Sequence, residues 1–396
     1  MKYFEITKSD QASKSRTGII HTAHGEVKTP AFLPIGTKGA VKTVTAEELK
    51  FWGADIILAN TYHLWQRPGD ALIYKAGGLH KFMNWKGPIF TDSGGFQVFS
   101  LAKFRKVMEA GVMFQFDLDG KQEILSPEKS VDIQANLGSD IALILDDFPG
   151  YPFEYERAKQ SIALTKRWAE RAIKEHQRIV AQGDPINKHQ KLWGIVQGAS
   201  FTDLRKQSAR DMAELGFEGF AIGGVAVGEP HEEMMKAVSY AIPHLPESAP
   251  KHLLGVGTPS DIVHAVAKSC DTFDCVIPTR EARHGRLYIN SKSQILNDKA
   301  NPKSKIQTEG YTTIDIRLEK YKEDFTPVDN TCNCYLCLNH NRAYLRHLFA
   351  TGEPLAIRLA TMHNLRFYLN LMESIRKAIT YDYFEDMLKS YQEFKD

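Results

Sequence analysis

Short apolar runs recur along this chain, each ending in a small or polar cluster before the sequence turns helical. They cover residues 31–35, 55–59, 88–90, 141–145, 192–196, 219–222, 252–256 and 272–277, eight in all. Between them lie stretches such as 155–180 and 201–215, where apolar residues return at three- and four-residue spacing, the period of a helix with one buried face. Thr45 followed by Glu48 has the form of a capping box opening another helix. A strand covered by helices is buried along its whole length, so it reads as a continuous apolar run rather than an alternating one. Eight such strands alternating with helices predict an α/β fold, a (β/α)8 barrel of the TIM type. A doubly wound open sheet is the competing arrangement.

The polar residues at the ends of these runs sharpen the picture. Thr91-Asp92-Ser93-Gly94-Gly95 follow one run, Asp146 and Asp147 another, Gln197-Gly198 and Gly223-Gly224 two more, and Asp274 lies in the last. In a barrel these positions converge on the rim at the C-terminal ends of the strands, where active sites of this fold are built. After about residue 290 the pattern turns polar, and a cysteine-bearing segment then leads into a helical C-terminus. The expected division is a barrel over 1–305, its last repeat completed by C-terminal helices, and a zinc-binding subdomain with those helices over 306–396.

Composition changes little. With 43% hydrophobic and 25% charged residues among 396, the chain reads as ordinary globular protein. It shows neither a leader pattern at its start nor a window of 18 uninterrupted apolar residues, so a cytoplasmic protein without membrane spans is expected. The net charge of +2 leaves a nucleic-acid partner open, because a basic footprint is local. One candidate exists: Arg280, Arg283, Arg286, Lys292, Lys299, Lys303 and Lys305 stand against only Glu281 and Asp298. Taken alone, such a run reads as a solvated loop.

Cys332-x-Cys334-x2-Cys337 gathers three thiolates within six residues. An odd total of five cysteines argues against a disulfide framework and for a metal. A closed tetrahedral zinc site needs a fourth ligand, and His340, His347 and His363 are the downstream candidates. Such a site has no open position, so the ion expected is structural, one Zn2+ per chain.

Asp92, Asp146 and Asp274 fall on the expected rim. Breaking an N-glycosidic bond needs a group to attack or stabilise C1′ and a group to manage the proton on the departing base, and carboxylates serve both ends. A third carboxylate can accept from the donor edge of a guanine-like base, Gln197 can meet its remaining polar atoms, and a backbone N–H near Gly224 can reach its carbonyl. Phe96 and Leu254 are placed to sandwich a flat ligand. Singly these signals are weak, since an aspartate after a strand is most often a helix cap. Which of Asp92 and Asp274 would attack stays open on these grounds.

Four segments carry a resemblance: Thr91-Asp92-Ser93-Gly94-Gly95-Phe96-Gln97, Trp193-Gly194-Ile195-Val196-Gln197-Gly198, Ile222-Gly223-Gly224-Val225-Ala226-Val227-Gly228-Glu229 and Phe273-Asp274-Cys275-Val276-Ile277-Pro278-Thr279-Arg280. With the cysteine trio and a histidine 26 positions after its last member, which selects His363, they resemble the bacterial-type tRNA-guanine transglycosylases, the queuine tRNA-ribosyltransferase family. The resemblance runs from about residue 18 to 363 or beyond. It implies a modified barrel with a zinc subdomain and base exchange at the wobble position of tRNAs with a GUN anticodon. It further implies that Asp274 attacks C1′ to form a covalent intermediate and that Asp92 handles protons as guanine leaves and a 7-deazaguanine enters. Ser93, Asp146, Gln197, Gly224 and Val225 would meet the base between Phe96 and Leu254. Arg280, Arg283 and Arg286 would hold the RNA. A homodimer is implied too, with Phe82, Tyr344 and His347 at its interface.

The chain departs from the family at two pocket positions. Asp147-Phe148 follow Asp146 where Glu-Cys is usual, and Val225 replaces a leucine. Val227 is the bulky residue typical of enzymes that take the small base preQ1, whereas users of queuine tend to have glycine there. A queuine-inserting enzyme and a non-catalytic RNA-binding partner subunit are the alternatives, although the latter would be expected to lack part of the aspartate set. A metal-dependent barrel hydrolase would need ligands at the strand ends, and no His-x-His pair occurs there.

Overall fold

The computed structural model describes residues 2–101, 104–116, 120–292 and 309–392. Its centre is one sheet in which every pairing is parallel, ordered Ala31–Leu33, Thr272–Asp274, Lys251–Leu253, Phe220–Ile222, Lys191–Val196, Ile141–Leu143, Ile89–Thr91, Ile57–Ala59 and Ile35–Gly36. The first and last of these segments belong to one apolar run divided at Pro34. Proline has no N–H to give to a ladder, yet its carbonyl still accepts from Leu58 N at 3.0 Å. The sheet therefore comes round on itself, and counting that run once gives the eight strands of a TIM-type barrel.

Several strands are shorter than the apolar runs that predict them. Ile144 and Leu145 are fully buried although the fourth strand ends at Leu143, and Ile277 opens the helix Ile277–Arg283. These rim residues are apolar because they pack, not because they pair.

Helices cover the sheet as the periodicity implies. Helix Tyr155–Val180 buries Ala158, Ile162, Thr165, Ala169 and Ala172 along one stripe. Thr45 caps Ala46–Phe51 with a complete capping box. Inside the barrel, Phe90, Trp193 and His252 from the third, fifth and seventh strands meet in one layer, with ring centroids 5.3 Å apart for Phe90–Trp193 and 4.8 Å for Phe90–His252. Layers drawn from alternate strands are how this fold fills its interior. Truncating Trp193 to alanine would cost about 3–5 kcal/mol.

Three smaller sheets among the described residues are not foreseen by the apolar pattern. Phe4–Ser9, Arg16–Thr22 and Gly25–Thr29 form an antiparallel sheet against the starts of the barrel strands. There buried Arg16 donates to both oxygens of Asp271, at 2.9 and 2.6 Å, and to the Ala249 carbonyl at 2.9 Å. Arg105–Met108, Gly111–Gln115 and Gln122–Leu125 form a second, and Arg286–Lys292 pairs with Glu309–Asp315. At the start of the fourth strand, Asp140 accepts from Ile89 N at 2.9 Å, His24 Nδ1 at 2.8 Å and His80 Nε2 at 3.2 Å, which ties three segments together.

The helix Pro354–Thr380 buries Leu359, Met362, Leu365 and Leu369 on one side and Phe367, Tyr368, Leu371 and Ile375 on another. Tyr368 donates to the Gly257 carbonyl at 2.6 Å, and its ring meets Phe32 of the first strand at 4.9 Å. The expected boundary at 305/306 lies outside the described residues. Among the described residues no helix is long and apolar enough to cross a membrane.

Candidate active site

At the C-terminal rim lies a cavity of about 680 Å³, lined by residues from every sector of the barrel. It gathers Asp92, Ser93, Phe96, Asp146, Gly224, Val225, Leu254, Asp274 and Arg280, which come from five of the eight strand ends. Gln197 lies just behind this lining, fully buried, and reaches it through Asp146.

Asp92 follows the third strand. Its Oδ1 accepts from Thr61 N at 2.9 Å and Gly94 N at 3.2 Å, and its Oδ2 accepts from Asn60 Nδ2. Gly94 can offer that N–H because it sits at φ +81°, a conformation glycine adopts freely. Burial pushes the Asp92 carboxyl up to about 7, helped by the charge of Asp274 across the cavity, while the three donors pull the other way.

Asp146 follows the fourth strand and accepts from Gln197 Nε2 at 2.5 Å. Burial pushes it to about 7 as well; the Gln197 hydrogen bond lowers it and neighbouring Asp147 raises it. Asp147 points elsewhere, into a bidentate pair with Arg157 at 2.6 and 2.7 Å. Two carboxyls poised near neutrality in one concavity can exchange protons with a ligand at physiological pH.

Asp274 ends the eighth strand and is buried. Its Oδ1 accepts from His252 Nε2 and from Gly255 N, each at 3.0 Å, and its Oδ2 has no partner among the described residues.

The apolar walls differ in rigidity. Phe96 is half exposed and lies over Phe148, centroids 5.8 Å apart and planes within 19°, while Phe148 is buried and also packs on Phe99 at 4.5 Å. Phe148 thus acts as a backing for Phe96. Leu254 and Val227 stand half-buried at the cavity wall, and Val225 is buried beneath it.

Of the three arginines, Arg280 lines the cavity mouth with no hydrogen bond or ion pair among the described residues. Arg283 spends one N–H on the Thr279 carbonyl at 3.0 Å, and exposed Arg286 lies 3.7 Å from Glu281. The basic residues 299, 303 and 305 lie outside the described residues, as does the side chain of Lys292.

Away from the cavity, Cys332, Cys334, Cys337 and His363 are all buried, with their ligand atoms within 4.8 Å of one another. His363 Nε2 donates to the Tyr288 carbonyl at 2.6 Å, which leaves Nδ1 to face the sulfurs of Cys334 at 3.5 Å and Cys337 at 3.3 Å. Ligands at zinc-type bond lengths around a tetrahedron stand about 3.5 Å apart, so this cluster fits a metal ion. His340 instead stacks on Tyr344 at 4.8 Å, and His347 is exposed.

The sequence profile described as queuine tRNA-ribosyltransferase matches residues 10–395. The chain belongs to that family. A queuine tRNA-ribosyltransferase of Listeria innocua is 46% identical over 390 residues, covering 98% of this chain and 96% of the relative. Relatives of the same name from Bacillus pumilus and Streptococcus uberis are 46% and 47% identical, again over 98% of the chain.

Within this member of the family, three supporting residues escape sequence reasoning. Asn60 holds Asp92 and also caps the helix Thr61–Gln66. Arg205, fully buried on helix Thr202–Glu214, donates to the carbonyls of Ala199, Val196, Gly223 and Gly224 at 2.6–3.1 Å, which braces the loops after the fifth and sixth strands. An arginine on an amphipathic helix reads as a surface charge, so no local signal marks it. His252, behind Asp274, is the third.

Proposed function

We propose that this chain is a tRNA-guanine transglycosylase, a pentosyltransferase. On this reading it replaces guanine at the wobble position of GUN-anticodon tRNAs with preQ1 through a covalent Asp274–tRNA intermediate. Family membership supports the activity. The observation that carries the mechanism is the asymmetry at Asp274: one oxygen is held by two donors, and the other is free beside the cavity.

In the first half-reaction, Asp274 Oδ2 bonds to C1′ of the target nucleoside as the C1′–N9 bond breaks, and the electron pair leaves with the base. Asp92, with a carboxyl near neutrality, supplies the proton that lets guanine depart neutral. The second half reverses these events with the incoming base, whose N9 proton passes to Asp92. Asp146 as a carboxylate accepts from the donor edge of the base, Gln197 and the Gly224 amide meet its other polar atoms, and Phe96 and Leu254 bracket its faces. The target base must leave the anticodon stack to enter, and Arg280, Arg283 and Arg286 supply positive charge along that path.

The metal we assign to the cysteine cluster is zinc. Three thiolates and an imidazole form a soft, four-ligand set that closes the tetrahedron, so the ion is structural and takes no part in the exchange. A homodimer through exposed Phe82, Tyr344 and His347 completes the reading, as does a C-terminal helix that serves as part of the barrel wall.

Trapping the adduct tests the core of this proposal. Incubation with a GUN-anticodon tRNA should give a denaturation-resistant protein–RNA species in wild type and none in Asp274→Ala. An Asp274→Ala protein that still exchanged labelled guanine would overturn it. The non-catalytic partner reading is disfavoured by the full aspartate set and predicts no adduct in either protein.

A further inference from the structure

A buried imidazole stands directly behind Asp274. His252, in the middle of the strand Lys251–Leu253, is fully enclosed and is paired in register with Thr272 of the next strand. Its Nδ1 lies 2.9 Å from Thr272 Oγ1 and its Nε2 lies 3.0 Å from Asp274 Oδ1. The Phe90 ring packs over it at 4.8 Å and 32°. A polar ring in this aromatic layer is costly to bury unless both nitrogens are satisfied, and both are, by these two residues. A Thr272 hydroxyl donating to Nδ1 selects the neutral tautomer with its proton on Nε2, directed at the carboxylate.

We propose that His252 is a positioning residue for Asp274: it dictates which carboxylate oxygen attacks and how readily that oxygen later departs. The inference rests on reading Asp274 as the nucleophile and deepens it. Oδ1 is occupied by the His252 and Gly255 donors, so the lone pairs available to C1′ are those of Oδ2. When the Oδ2–C1′ bond forms, Oδ1 becomes the carbonyl oxygen of a ribosyl ester and keeps both hydrogen bonds. When N9 of the incoming base attacks C1′, the Oδ2–C1′ bond breaks and its electron pair returns to the carboxylate. Hydrogen bonds to an anion are stronger than those to a neutral ester. The two donors therefore stabilise the returning charge more than the adduct, and the intermediate does not become a trap. An exchange between two similar bases needs this balance, because attack and departure are the same bond run in opposite directions.

Single-turnover kinetics with a GUN-anticodon tRNA separate the steps: adduct formation is followed first, then its breakdown on adding guanine. In His252→Leu, which keeps an apolar side chain in the layer but loses the donor, breakdown should slow by about tenfold, the worth of one charge-assisted hydrogen bond. Adduct should then accumulate at steady state, so that kcat and the apparent KM for tRNA fall together while kcat/KM for tRNA stays near that of wild type. His252→Gln, whose amide N–H can replace Nε2–H, should restore most of the breakdown rate. Thr272→Val, which keeps the shape but releases the tautomer, should give a partial slowing and serves as the second variant if His252→Leu folds poorly. Breakdown at the wild-type rate in His252→Leu, or in Thr272→Val where that protein stands in for it, would overturn the proposal, as would His252→Gln slowed as much as His252→Leu. If wild type forms no adduct at all, the nucleophile assignment itself fails, which is a different result from an adduct indifferent to residue 252.

Discussion

Asp146 and Gln197 form one unit: the Gln197 amide donates to Asp146 Oδ2, and this leaves Gln197 Oε1 buried without a hydrogen-bond partner in the described structure. That oxygen lies where a Cβ on Gly224 would have to go, and Gly224 is at φ +61°, which L side chains rarely adopt. Gly224→Ala should therefore displace either the loop or the glutamine. We expect kcat/KM for guanine to fall by about a hundredfold, as for a misplacement of about 1 Å in a positioned site. The melting temperature should drop only modestly, because the loop lies at the rim. Steady-state kinetics beside a thermal melt check this, and unchanged kinetics would show that the pocket does not use this unit.

The raised carboxyls make stability and activity respond differently to pH. An unfolded chain releases its aspartate protons near 3.9, whereas Asp92 and Asp146 in the folded protein hold theirs up to about 7. Over that window the native state binds more protons, so stability falls as pH rises. Asp92→Asn and Asp146→Asn should each raise the melting temperature at pH 8 and leave it nearly unchanged at pH 4, while both lose activity. In wild type, kcat/KM should be bell-shaped about pH 7, because Asp146 must be ionised to read the base and Asp92 protonated to release it. Melts at the two pH values and a pH–rate profile test both statements.

Metal analysis should find about one zinc per chain, and Cys334→Ser or His363→Ala should take that toward zero. Cys337 and Leu336 lie in the same apolar cluster as Leu359, Met362 and Leu365 of the long C-terminal helix. Losing the ion should therefore loosen that helix and lower the melting temperature. A chelated, metal-free wild type that melts as before would contradict a structural ion.

Val227 lines the cavity and its N–H is held by Glu229 Oε2 at 2.9 Å, two residues on, so the loop carrying it is closed on itself. A substituent as large as the cyclopentenediol of queuine would meet this side chain. Wild type should show the higher kcat/KM for preQ1, and Val227→Gly should move the preference toward queuine. A wild type that already prefers queuine would refute the steric argument and direct attention to Phe148, which backs Phe96 at the opposite wall.

Much of the scaffold was legible in the residue pattern because the determining physics there is local. Parallel strands buried on both faces must be apolar throughout, so the runs around Leu58, Phe90, Leu143 and Phe273 mark the barrel before any contact is known. The helix over 155–180 follows from its spacing, and Thr45 with Glu48 marks a helix start because both hydrogen bonds lie within one turn. Three cysteines within six residues carry the metal signal for the same reason.

What only tertiary structure decided depends on partners far apart in the chain. His252 reads as one more residue of an apolar strand until the barrel sets it between Thr272 and Asp274. Arg205 reads as a surface charge until the closing of two loops turns four carbonyls toward it. The N-terminal sheet stayed hidden because its outer strands hold few apolar residues, Phe4 and Ile6 in one and Val27 in the other, and form no apolar run. Sequence pattern records whether a side chain seeks water or avoids it; which donor meets which acceptor is settled only when the chain has closed and water has been excluded.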